Sequence, residues 1–148
     1  MAESYNPDSL WAPFGAFSMM VLQGGGQVVH LKGQVSLDAE GQVVGARGTE
    51  GDMQAQVRQV LTNIRTALAA VGGRMSDVTS LVHYTTDIAA FMRSGDVRKA
   101  FFAEPYPITT TVEVAALYRP ELLIEITASA EIPLDRFIRP DSAKPLHT

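Results

Sequence analysis

The side chains of this sequence that could do chemistry in water are few and widely spaced. Glu125 stands between Ile124 and Ile126 in an alternating stretch, projecting to the face opposite its apolar neighbours. A carboxylate so placed can position a water molecule or take its proton; the plainer alternative is an interface carboxylate paired with a neighbour's lysine or arginine. Lys32 shares a strand face with His30 and could anchor an acidic ligand as a point charge, or lie as an edge lysine or in an intersubunit ion pair. Gly33 beside it could open a backbone amide to a ligand, or mark a bend. Thr109 and Thr111 could hydrogen-bond a small polar ligand, although threonine is also a good strand former. Phe17 could stack on a planar ligand or belong to the core.

Other chemistries are excluded. With no cysteine there is no disulfide, thiolate nucleophile or thiolate metal site. His30, His83 and His147 lack metal-ligand spacing, so no metal is expected; His83, on a strand, reads as structural and His147 as part of a tail. Neither a Gly-x-Ser-x-Gly elbow nor a phosphate-binding Gly-Lys-Ser/Thr loop occurs, and the triple glycine at 24–26 is a turn. The net charge of −4 without a basic cluster disfavours nucleic acid, whose binding draws on phosphate neutralisation. No apolar stretch is long enough to cross a bilayer. The first basic residue is Lys32, so no targeting peptide is read and the cytosol is the expected location.

At 148 residues the chain can bury one core. Residues 1–16, with Pro7 and Pro13, suggest an extended arm. Phe17–Leu22 and the alternating Val28–Gln34, joined by Gly24-Gly25-Gly26, read as a β-hairpin. Asp38–Gly41 is a turn and Gln42–Val44 a short extended piece. Met53, Val57, Val60, Leu61, Ile64, Leu68 and Val71 form one apolar stripe, predicting a helix over 52–71 capped by Asp52 or Thr49 and ended by Gly72-Gly73. Val78–Thr85 is a strand by β-branched content. A second helix starts at Asp87, carries Phe91, Val97, Phe101 and Phe102, and stops before Pro105 and Pro107. Thr109–Ala115 and Leu122–Glu131 are further strands, joined by a turn at Tyr118-Arg119-Pro120.

The order β-β-α-β-α-β-β gives an α+β fold: a mixed sheet with two helices on one face, in a single domain over 1–133 and an extended tail over 134–148. The other face carries Glu125, Thr127, Ser129 and Glu131 and, by the same alternation, Thr109, Thr111 and Glu113. Being polar but not highly charged, it suits a wet cleft or a subunit interface.

The series of motifs resembles the RidA/YjgF (reactive intermediate deaminase) family. The resemblance runs through Asn6-Pro7, Phe17-Ser18, Leu31-Lys32-Gly33-Gln34-Val35, Gln56 and Asn63 of the first helix, Gly72 and Asp77-Val78. It continues through Phe101-Phe102, Pro107, Val112-Glu113-Val114, and Ile124-Glu125-Ile126 with Ala128. It implies a chorismate mutase-like fold, and a homotrimer whose sheets form a central barrel with ligands in clefts between subunits. It also implies hydrolysis of reactive enamines or imines to keto acids and ammonia, without metal or cofactor.

Against the deaminase pattern this chain departs at named places. Where the family has Pro-x-Arg-Ser, whose arginine pairs with a substrate carboxylate, it has Pro107-Ile108-Thr109-Thr110, so Thr109 holds the arginine position. The family's strand serine is Lys32, its tyrosine Phe17 and its helix asparagine Gly95; Glu125 stands where the family orders the attacking water. Two readings follow. One is a hydrolase acting on an imine or enamine, Glu125 managing water while Phe17, Lys32, Gly33, Thr109 and Thr111 hold a ligand, with Lys32 the candidate to replace the arginine if the ligand bears a carboxylate. The other is a trimer that binds a small metabolite or a protein without turnover. Ribonuclease activity, sometimes attached to the family, is argued against by the acidic composition.

Overall fold

The computed structural model describes residues 1–140. The long apolar stripe becomes α1 (Asp52–Ala69), burying Met53, Val57, Val60, Leu61, Ile64 and Leu68. Each such side chain, fully buried, contributes about 1.5–3 kcal/mol, so the stripe fixes this helix against the sheet. Its ends are set differently. At the start neither Thr49 nor Asp52 caps the helix: Gly51 is the cap residue, at φ 67, with no side-chain cap bond. The Asp52 carboxylate accepts from Gly48 N at 2.9 Å instead, and the Thr49 hydroxyl donates to Ala46 O at 2.6 Å. At the end, Gly72 takes φ 80 and Gly73 N donates to Leu68 O at 2.8 Å, the left-handed ending expected of two glycines.

The principal sheet is mixed. Its path is β3 (Gln27–His30), β7 (Ile124–Ile132), β5 (Val78–Thr85) and β6 (Ile108–Glu113), with β4 (Gln34–Val35) also paired to β7. β5 and β6 run parallel while the other pairs are antiparallel. A parallel neighbour needs a crossover, and α2 (Ile88–Arg93) with α3 (Gly95–Lys99) supplies it. The predicted second helix thus begins where expected, with the Asp87 side chain accepting from Ala90 N at 3.0 Å, but breaks at Ser94. The core lies between the helices and one sheet face, where Leu81, Ile124, Ile126, Ala128 and Ala130 meet α1. No helix among the described residues is long and apolar enough to cross a membrane.

The N-terminal region corrects the expected hairpin. β2 (Met20–Leu22) pairs with β1 (Glu3–Tyr5), within the predicted arm, and not with β3. Ser18 lies against the edge of β6, its N–H donating to Pro107 O at 2.9 Å. The reason is the buried Glu131, whose carboxylate accepts from Gly24 N and Gly26 N at 2.8 Å each. It ties the glycine loop to the end of β7, and the segments on either side diverge to other partners.

A second correction concerns sheet faces. Glu125, Thr127 and Ser129 lie opposite the core, as read. Thr109 and Thr111, however, pair with Leu81 and His83, and these are core-side residues of β5. Both threonines therefore face the helices, together with Glu113 beside Thr85. Past His83 the helix side of this edge strand borders a cavity rather than packed core, so polar residues fit there and alternation gives the wrong phase.

Of the expected tail, Arg136 donates to both carboxylate oxygens of Asp77, at 3.0 and 2.5 Å, and to Gly72 O at 2.9 Å. Ile138 N donates to Val71 O at 2.9 Å, and residues 141–148, with His147, lie outside the described residues.

Candidate functional site

The expected site residues fall into two groups. Phe17, Thr109 and Thr111 line a cavity of about 440 Å³ between the β6 edge, the α2–α3 break and the N-terminal segment. Its apolar wall is aromatic. Trp11 stacks on Phe14 with ring centroids 5.7 Å apart, and Phe14 meets Phe17 edge-on at 5.2 Å. Phe91, the buried anchor of α2, packs 4.8 Å from the His83 ring. The break between α2 and α3 leaves Ser94 and Gly95 on the wall, and Ser94 Oγ satisfies itself on Ala90 O at 3.0 Å.

The polar part of the cavity is His83, Arg98 and the two threonines, with exposed Asp96 and Lys99 also lining it. His83 is 1% exposed, and its Nδ1 lies 2.9 Å from Thr111 Oγ1. Burial first, and the neighbouring Arg98 charge second, push its pKa down to about 3. The ring is therefore neutral near pH 7. Its buried Nε2 has no hydrogen-bond partner among the described residues. Leaving such an atom unsatisfied costs about 1–3 kcal/mol, so its retention asks for a reason. Arg98 donates to Ala16 O at 3.1 Å, and burial draws its pKa below the ordinary arginine value, partly offset by the Tyr106 phenol. It stays cationic.

The second group is Lys32, Gly33 and Glu125. Lys32 and Gly33 line an open groove beside α1, and half-buried Glu125 reaches Gly33 so closely that a Cβ there would overlap its carboxylate. Here glycine is required for a close approach, not for an unusual φ. The surrounding polar groups are locally satisfied: Lys32 Nζ donates to Gly33 O at 3.3 Å, and Asn63 Nδ2 to Val35 O at 3.2 Å and Leu37 O at 2.9 Å. Gln56, the other amide of α1, is buried and bridges loops, donating to Gly45 O and Glu121 O and accepting from Leu123 N at 2.8 Å each. These amides hold the scaffold.

Within one chain the two groups do not meet. Glu125 pairs with Tyr84 on the sheet face away from the helices, whereas Thr109 lies beside Leu81 on the helix side, with β5 between their strands. Sequence reasoning placed three residues in the cavity and missed His83, Arg98, Trp11, Phe14 and Phe91. A signal existed for Arg98: Phe91, Ser94 and Arg98 follow helical spacing of three and four, so a cation sits on a core-facing stripe. Among the described residues no group of three or more His, Asp or Glu is placed to hold a metal ion.

Comparison with known proteins gives a consistent picture. The family model described as endoribonuclease L-PSP matches residues 9–132. A RutC family protein of Pyrococcus horikoshii is 34% identical over 119 residues, covering 80% of this chain and 88% of its own. A 2-iminobutanoate/2-iminopropanoate deaminase of Dermatophagoides farinae is 30% identical over 71% of this chain and 77% of its own. Among solved structures, the Rid family protein YyfB of Yersinia pestis superposes with a TM-score of 0.73 at 32% identity, covering 88% of this chain and 98% of that one. RidA of an Antarctic Psychrobacter species gives 0.63 at 30% identity, over 88% and 99%.

Proposed function

Because the chain belongs to the RidA/YjgF (endoribonuclease L-PSP) family, we propose that it hydrolyses a small reactive imine or enamine in a site completed by a second copy of the chain. The observation that carries this reading is the division of the expected residues into two half-sites. The aromatic cavity with Phe17, Thr109 and Thr111 can hold a ligand, and Glu125 is not among the residues that line it. Glu125 lies against Gly33, at the edge of the open groove, on the sheet face away from the helices. In a homotrimer whose open sheet faces meet, Glu125 and Gly33 of one copy close the cavity of the next. The open face carries Ser80, Val82, Tyr84, Thr127 and Ser129, small or amphipathic residues suited to such packing.

The chemistry needs only a positioned base. Glu125 takes a proton from water as the oxygen attacks the imine carbon. That proton is returned to nitrogen to give a carbinolamine; Glu125 then passes the new hydroxyl's proton to the nitrogen as the C–N bond breaks, leaving ammonia and a carbonyl product. The likeness to the mite deaminase supports this class of reaction. A ribonucleic acid ligand suits the chain less well, because its net charge is −4. The second reading, binding without turnover, is favoured by Thr109 in the place of an arginine.

The test is an imine-hydrolysis assay on purified protein, with imines generated in situ and Glu125→Ala as control. The expected result is acceleration over the uncatalysed rate that the substitution lowers at least about 100-fold, a magnitude normal for a general base. Saturable binding of the carbonyl product with no acceleration would establish the second reading instead.

A further inference from the structure

The aromatic wall is tied to the rest of the protein unevenly. On its C-terminal side Ser18 N donates to Pro107 O at 2.9 Å, and Met19 N to the Asn6 side chain at 2.9 Å. On its N-terminal side, residues 11–15 make no hydrogen bond to the helices or the principal sheet among the described residues. Between the two lies a three-residue turn, with Phe17 N donating to Gly15 O at 2.9 Å. Its middle residue, Ala16, is 1% exposed, and the Ala16 carbonyl accepts from Arg98 Nη1 at 3.1 Å. Among the described residues this is the bond that joins the turn to the helices. Arg98 owes its place to the broken crossover: Ser94 N ends α2 on Phe91 O at 2.9 Å, and Ser94 O then accepts from Val97 N and Arg98 N at 3.1 and 3.4 Å to begin α3. Arg98 is in neither ion pair of the described residues, so its charge goes into the bond to Ala16. A charge-assisted bond of this kind is about twice as strong as a neutral one.

We propose that Arg98 is a positioning residue of this site: by holding Ala16 O it fixes the turn that aims the Phe17 ring into the cavity it shares with Thr109 and Thr111. This rests on the reading of the cavity as the ligand half-site. Phe17 meets Phe14 edge-on at 5.2 Å and Trp11 at 6.0 Å, so one bond at Ala16 sets the aim of the whole aromatic wall. Losing it leaves Ser18 pinned to Pro107 and frees the chain before it to open locally. Arg98 acts on a ligand through Phe17, and the water chemistry stays with Glu125. Its loss therefore falls on substrate binding more than on the chemical step.

The experiment has two arms, both on the full chain. The first, backbone hydrogen exchange without ligand, needs no turnover. In Arg98→Met the Phe17 amide should exchange at least about tenfold faster, the size of one charge-assisted hydrogen bond, while the amides of β7 keep their rates. Arg98→Lys, which keeps a cation and a donor, should fall between wild type and Arg98→Met. The second arm is steady-state hydrolysis of the imine that an amino-acid oxidase makes from leucine. Arg98→Met should raise KM about tenfold, by a larger factor than it lowers kcat. In a Phe17→Ala background the same substitution should leave KM unchanged, because an effect routed through Phe17 has nothing left to act on. Thermal melts separate these effects from misfolding, and Arg98→Lys carries both arms if Arg98→Met does not fold. Unchanged exchange at Phe17, or a KM rise as large in Phe17→Ala as in wild type, would overturn the proposal. Faster exchange in a protein with no imine hydrolysis would keep the latch and sink the deaminase reading. Hydrolysis alongside exchange that ignores Arg98 would do the reverse.

Discussion

The cavity under α3 and the groove around Gly33 are both polar, but they keep their polar groups in opposite states. In the groove, Lys32 bonds the next carbonyl, and Asn63 serves the carbonyls of Val35 and Leu37. In the cavity, His83 Nε2 has no partner and Arg98 no counter-ion among the described residues. Polar groups that satisfy one another serve the fold; those kept buried and unsatisfied point to a ligand. Glu125 is the exception on the groove side, held beside Gly33 with its carboxylate facing out of the sheet.

That contrast can be broken or sharpened by substitution. The largest effect is expected from Gly33→Ala. The new methyl overlaps the Glu125 carboxylate, which is the mobile end of a side chain. Imine hydrolysis should therefore fall about 100-fold, as for a catalytic group misplaced by an ångström. Stability should change by less than about 1 kcal/mol, because no packed backbone has to move. Steady-state rates and denaturant melts on the same preparation check both halves. A stability loss that matched the loss of rate would make Gly33 a fold residue and erase the exception.

Next comes acid. His83 is neutral when folded, with its pKa near 3, and titrates near 6.5 when unfolded. Below pH 6.5 the unfolded chain therefore binds a proton that the folded chain does not. The His83 contribution is complete above pH 6.5 and is lost progressively as pH falls toward 3. At about 1.4 kcal/mol per pH unit, the loss between pH 7 and 4.5 is roughly 2–3 kcal/mol. Urea unfolding at the two pH values should show this slope in wild type and a shallower one in His83→Gln.

On the groove side, Asn63→Ala removes bonds to two carbonyls. It should cost about 1–2 kcal/mol and leave the rate of imine hydrolysis unchanged, whereas a rate loss beyond the loss of stability would make Asn63 part of the site. Thr111→Val is the mildest change. It removes the Nδ1 partner of His83 and should cost about 1 kcal/mol, read by urea unfolding at pH 7.

Legibility in the sequence followed the locality of the physics. α1 and β5 could be read because their signals, an apolar stripe and a β-branched run, lie within the elements themselves. The false hairpin arose because the partner that decides the glycine loop is Glu131, 107 residues from Gly24. The phase of β6 was misread because three consecutive threonines offer no apolar contrast, and only pairing with Leu81 and His83 sets it. At the site, Phe17, Thr109 and Thr111 were found from position in a known pattern. His83 looked structural because an unsatisfied ring nitrogen is a property of its neighbours, and Arg98 matters only once the crossover helices lie over β6.

The aromatic wall has a practical consequence. The chain contains one tryptophan, and Trp11 stands in that wall, 60% exposed and stacked on Phe14. Its emission is therefore an intrinsic reporter of this cavity alone: a ligand that displaces water from the indole should shift or quench the spectrum without any label. Occupancy could then be followed by eye of a fluorimeter, in real time and in mixtures, before any substrate is known.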